Sequence, residues 1–126
     1  MGELTMYQAN SYKNVMEILI DDEIDRQTGH YSQEQAQAIN RIEVATYALN
    51  RVPPLYASSQ EGISLQYQRG QTEFGDHIRT SVRQALICVQ KSPHRSSTPF
   101  PRFEEEFAAQ HLATQQQEME ELSALF

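Results

Sequence analysis

Two adjacent prolines, Pro53 and Pro54, constrain this chain more than any other pair of residues. Neither offers a backbone N–H, and each drives the residue before it out of the helical region, so no helix can run across them. Residues 47–50 can finish a helix, with Asn50 where a C-terminus tolerates a left-handed residue. The run 47–62 is therefore expected to form a rigid elbow carrying Arg51, Tyr56, Ser58 and Ser59. A charge, a ring and two hydroxyls suit a phosphorylated aromatic ligand without singling one out.

A chain of 126 residues fits one domain with one core. No apolar run approaches the ~20 residues of a membrane span, and the N-terminus lacks a basic-then-apolar leader pattern. One cysteine, Cys88, excludes an internal disulfide and a multi-cysteine zinc site. A cytoplasmic location is expected, without a membrane partner.

The net charge of −7 is unevenly spread. Residues 1–40 carry a net −5, residues 41–102 a net +4, and residues 103–126 six Glu with no Lys or Arg. A duplex-DNA binder shows a larger basic excess, so direct nucleic-acid binding is not expected. A cationic centre between acidic flanks fits a small anionic ligand, or internal ion pairs.

Residues 1–13 read as a loose lead-in with Tyr7 and Tyr12 as anchors. Asn14 and Glu17 resemble a capping box, after which Val15, Met16, Leu19, Ile20 and Ile24 share one helical face and Gly29 supplies the stop. Asp21, Asp22, Glu23 and Asp25 form either a solvated face or one in which Asp22 or Asp25 meets an arginine or the N–H edge of a base. Ser32 and Gln35 make a second capping box, so the spacing predicts a helix over 33–50 with Ala38, Ile42, Ala45 and Leu49 as its core stripe. Its last two turns are apolar nearly all round, as in a central helix or one shared between subunits. Residues 63–67 form either a short strand or the ragged start of the next helix. That helix is expected over 70–90, with Phe74, Ile78, Val82, Ala85, Leu86 and Val89 as its stripe. Arg79 and Arg83 share a polar face that Arg69 joins if the helix begins early; Asp76 can pair with Arg79, but Arg83 and Arg69 lack an obvious local partner.

Residues 92–102 are a linker rich in proline and serine. Beyond it Phe103, Phe107, His111, Met119, Leu122 and Phe126 permit an amphipathic helix, interrupted by a glutamine run. The expected division is a ligand-binding domain over 1–95 and an acidic tail over 96–126.

No catalytic constellation emerges. His30, His77, His94 and His111 are scattered without metal-ligand spacing, and both the phosphate-loop and dinucleotide glycine fingerprints are missing. Cys88 lies among apolar neighbours, off the arginine face, as a buried inert thiol would. A non-enzymatic protein is expected.

Asn14-Val-Met-Glu17, the acidic Glu23-Ile-Asp25, then Ala48-Leu-Asn-Arg-Val-Pro-Pro-Leu-Tyr56 and Gly62 resemble the late competence development (ComFB) family. Gln68-Arg-Gly70, Glu73-Phe74 and Val82-Arg-Gln-Ala-Leu86 are similar to members from photosynthetic bacteria. The resemblance covers about residues 10–95 and is most specific in Ala-Leu-Asn-x-x-Pro-Pro-x-Tyr. It implies a small, mainly helical, dimeric domain that binds cyclic di-nucleotides, chiefly cyclic di-GMP and alternatively cyclic di-AMP, and acts through an effector protein such as a transcription regulator. Founding members hold zinc with a cysteine cluster between the first two helices; here residues 28–35 contain no cysteine, so neither metal nor cofactor is expected.

The fold expected is three core helices, with or without a short strand, plus a C-terminal helical tail. Arginines suit a bis-phosphate, because a guanidinium grips two oxygens at once, and a purine stacks on a ring or a guanidinium plane. Guanine's acceptor edge suits arginine and its N–H edge a carboxylate. The candidate ligand-binding residues are Arg51, Tyr56, Ser58, Ser59, Arg69, Arg79, Arg83, Asp22 and Asp25, with Arg51, Tyr56 and Arg69 foremost. The rival expectation is a dimeric adaptor without a working pocket, acting through its acidic tail.

Overall fold

The first helix begins where a single side chain ties it to the double-proline bend. A computed structural model describes residues 8–91, 98–100 and 104–125, and the chain separates into two units, Met1–Pro93 and His94–Phe126, each taken by itself. The first unit contains strand β1 (Lys13–Asn14), helices α1 (Met16–Thr28), α2 (Gln33–Gln37) and α3 (Arg41–Leu49), strand β2 (Tyr56–Ala57), and helices α4 (Gln60–Glu73) and α5 (Gly75–Lys91). The second holds α6 (Glu104–Ala124). The chain is mainly helical. Tyr7, Phe103, Phe126 and most of the 92–102 linker lie outside the described residues.

The expected α1 face is buried: Val15, Met16 and Ile20 are fully enclosed, with Leu19 and Ile24 nearly so. Each such side chain contributes roughly 1.5–3 kcal/mol of burial free energy. Asn14 does not form the expected box with Glu17. Its Oδ1 accepts from the Met16 N–H at 3.2 Å and from the Leu55 N–H at 2.8 Å. The Val15 N–H in turn donates to the Leu55 carbonyl at 2.7 Å. Beyond this clamp β1 and β2 pair antiparallel, Lys13 opposite Ala57 and Asn14 opposite Tyr56. Val52 and Leu55 are driven into the core on either side of the prolines, which holds the bend against α1. Asn50, expected to tolerate a left-handed backbone, is right-handed at φ −73°.

The single helix expected over 33–50 is two. Ser32 and Gln35 do make the reciprocal capping box, but Asn40 adopts an extended backbone and its side chain accepts from the Ile42 and Glu43 N–H groups. An asparagine that offers the backbone a local acceptor starts a new helix rather than continuing the old one. The break rotates the buried face: Val44 and Ala48 are fully enclosed, whereas Ile42 is 77% exposed and Ala38 is exposed as well. Ala45 and Leu49 are half-buried.

Residues 63–67 are helical, not a strand, because the Ser59 hydroxyl accepts from the Gly62 N–H at 3.0 Å and opens α4 well before residue 70. The expected 70–90 helix is interrupted at Phe74, whose backbone (φ −118°, ψ 11°) ends α4 before α5 begins. The α5 stripe is as expected: Ile78, Val82, Ala85 and Leu86 are buried, with Phe74 and Val89 packed against them. Among the described residues no helix is long and apolar enough to cross a membrane.

Gly70 is where α4 meets α1 and the bend. A Cβ there would lie 2.2 Å from Leu19 Cδ1 and 3.1 Å from Leu55 Cδ1, and both leucines are buried. Gly70→Ala should lower stability by about 1–3 kcal/mol, overpacking outweighing the ~1 kcal/mol helix-propensity gain. Gly75→Ala, with open space around it, should cost nothing; urea titration of both variants checks the contrast. Asn14→Ala, which orphans two backbone donors, should lose roughly 1–3 kcal/mol in the same titration.

Candidate functional site

The elbow holds its polar groups close to its own backbone. Arg51 lies flat on the Tyr47 ring, its guanidinium carbon 3.4 Å from the centroid, and Nη1 donates to the Tyr47 carbonyl at 2.9 Å. The Tyr47 hydroxyl accepts from the Cys88 thiol at 3.4 Å. That contact and burial push the phenol's pKa up, against the pull of Arg51. Tyr56 is 55% exposed and meets the Tyr12 ring edge-on at 5.8 Å. Ser58 is exposed, while Ser59 is occupied as the cap of α4.

Carboxylates account for most of the arginines. Arg69 pairs with Glu73 at 3.0 Å and lies 5.7 Å from the Phe74 ring centroid, so its local partner, not expected from the sequence, sits one turn ahead. Arg79 pairs with Asp76, Arg26 with Glu23, and Arg41 with Asp25 at 2.8 Å and Asp21 at 3.5 Å. Exposed pairs of this kind contribute about 0–1 kcal/mol each. Asp25 thus meets an arginine, though one outside the expected set. Asp22 instead accepts the Tyr67 hydroxyl at 2.6 Å, and that bond raises the Tyr67 pKa above its ordinary value. Among the described residues, Arg51 and Arg83 are the arginines without a carboxylate partner.

Two hollows flank α1, about 12 Å of helix rise apart. The first, of about 420 Å³, lies at its opening turn between Tyr12, Lys13, Glu17, Ile18 and Tyr56. The second, of about 360 Å³, lies between its last turn and α5, where Arg26, His30 and Arg83 surround a floor that includes Leu86 and Ile87. Tyr31 and Gln90 line its rim, the Gln90 amide donating to the Tyr31 hydroxyl at 3.2 Å. The His30 ring stands edge-on to Tyr31 at 4.9 Å.

Gln27 ties the walls of the second hollow together, its amide donating to Glu23 at 2.8 Å and to the Arg79 carbonyl at 2.9 Å. Burial works to raise the Glu23 carboxyl, but hydrogen bonds from Arg26 and Gln27 and the charges of Arg26 and Arg79 outweigh it, leaving its pKa below the usual value. An imidazole, two guanidiniums, a phenol and two amides around an apolar floor can hold an anion that also presents a flat face.

The nine expected residues are therefore not gathered into one site. Tyr56 belongs to the first hollow and Arg83 to the second, with Arg79 on the α5 face beside it. Asp22, Asp25 and Arg69 sit in seams or on their own helices. Arg26, His30, Tyr31 and Gln90 were not singled out; the only sequence signal is that Arg26 and His30 are four apart, on one side of a helical turn.

Fold and hollows define a small, mainly helical domain with a cationic recess between its first and last core helices. The model of the late competence development protein ComFB family matches residues 13–93. The chain belongs to that family. No curated protein matches it. The zinc of the founding members does not fit these residues: between α1 and α2 the one imidazole, thiol or carboxylate donor is His30, and among the described residues no three His, Cys, Asp or Glu side chains are grouped to hold a metal.

A phenol whose folded pKa is raised contributes stability that is present below its unfolded pKa of ~10 and is lost as pH rises through the folded value. Tyr67→Phe should therefore cost less than about 1 kcal/mol at pH 8, and its melting temperature should fall less steeply than that of the unaltered protein above pH 10. Thermal melts from pH 8 to 11 read the difference.

Proposed function

We propose that the protein is a non-catalytic cytoplasmic receptor for a cyclic di-nucleotide, chiefly cyclic di-GMP, that acts as a homodimer through an effector protein. The observation that carries this reading is Arg83: a guanidinium with no carboxylate partner among the described residues, facing a hollow it shares with Arg26 and His30. A dianionic ligand with two purines needs such a charge for its phosphate oxygens and flat groups for its bases. The resemblance to cyclic di-GMP-binding members, within a family to which the chain belongs, favours the same ligand class, with cyclic di-AMP as its alternative.

In this reading Arg83 leads for the phosphate. Arg51, already stacked on Tyr47, offers a planar cation, and the exposed Tyr56 ring offers a platform. Arg69, Arg79, Asp22 and Asp25 take part by exchanging their present partners for ligand; Ser58 is exposed, and Ser59 takes part by leaving its place as the cap of α4. A second reading, a dimeric adaptor without a working pocket, is favoured by one observation: Arg69 and Arg79 are each neutralised on their own helix.

Thermal melts separate the two. Cyclic di-GMP at 100 times its dissociation constant should stabilise the protein by about 2.7 kcal/mol, raising its melting temperature by several degrees. Arg83→Ala should melt like the unaltered protein without ligand and bind at least about tenfold more weakly by calorimetric titration. No shift with cyclic di-GMP or cyclic di-AMP would leave the adaptor.

A further inference from the structure

Helix α6 displays an apolar stripe framed by negative charge. Leu112, Met119 and Leu122 are each more than half exposed (57%, 67% and 56%), and at about 100° per residue they fall within an arc of about 80°. Gln115 falls inside that arc, Glu118 lies about 40° beyond one edge and Glu120 about 80° beyond the other, while Glu121 is on the far side of the helix. The last turn of α6 contains no basic residue, so these glutamates add to the partial negative charge at the helix C-terminus instead of offsetting it. Across residues 103–126 there are six Glu and no Lys or Arg.

Residues 1–93 do not supply a complementary net charge. They carry eight Lys and Arg against eleven Asp and Glu, and most of the arginines in that unit are already paired. A second copy of α6 fits no better. Its glutamates fall at 104–106 and 118–121, so parallel pairing sets like clusters against each other, and antiparallel pairing sets one acidic cluster against the other.

We infer that the exposed face of α6 is a docking surface for a basic amphipathic helix of a partner protein, which covers Leu112, Met119 and Leu122 while its cations meet Glu118 and Glu120. Apolar contact supplies the affinity, and the charges select the partner and speed the encounter. The surface operates independently of the ligand reading above.

The test titrates the full chain with a synthetic helical peptide of about 20 residues, matched in length to α6, with Leu on one face and Lys on the other. Binding should weaken about three- to tenfold at 0.15 M salt in the double variant Glu118→Gln, Glu120→Gln, which keeps the helix propensity. It should be lost in Leu112→Gln, Met119→Gln, Leu122→Gln, with helicity followed by circular dichroism in both. Equal binding by both variants and the unaltered chain overturns the inference. So does a halving of the solution mass in the Leu and Met variant, since that assigns the face to a second copy.

Discussion

One asparagine amide holds the folded unit in register. Asn14 Oδ1 takes the N–H of Met16, which opens α1, and the N–H of Leu55, which closes the proline bend. Forty-one residues of sequence separation are closed by that second bond. The entropic cost of such a loop is met because the same contact buries Val15 and Leu55 together and brings the Val15 N–H onto the Leu55 carbonyl. α1 can then serve as the common wall against which α3, α4 and α5 pack, and the bend becomes a fixed edge of the core.

How much of this could be read from residue order depends on the range of the physics. Local chemistry was legible: the Ser32 capping box, the stop before Pro53, and the α1 and α5 stripes, whose 3.6-residue period is written in consecutive turns. What misled was continuity. Asn40 and Phe74 each interrupt a run whose hydrophobic pattern does not falter, and once the helix restarts, its buried face is set by tertiary packing. Ile42 therefore points to solvent while Val44 and Ala48 do not. Asn14 was legible as a cap, but the second bond its Oδ1 accepts, from the Leu55 N–H, was not, because nothing local announces a bond spanning the first half of the unit.

The candidate site follows the same division. Types of residue were recognisable and their grouping was not. Arg69 and Arg79 looked available because charge patterning shows what a helix face carries, not which rotamer closes an ion pair one turn away. Arg83 differs from them because Ile87, not a carboxylate, occupies the position one turn ahead. The recess it faces is made by α1 and α5 meeting at the last turn of the former, so His30 and Tyr31, which read as loop residues, become its rim.

The two strands are two residues long and lie directly before α1 and directly after the bend. A pairing so short has little strength of its own. Pull applied to the chain ahead of Lys13 meets the short strand pair and the Asn14 amide first, whereas load applied beyond Lys91 enters through α5, whose face buries four apolar side chains. The two ends of the unit are thus mechanically unequal: an attachment at the front loads the proline corner with the Val15 and Leu55 side chains it buries, and one at the back loads the apolar face of α5.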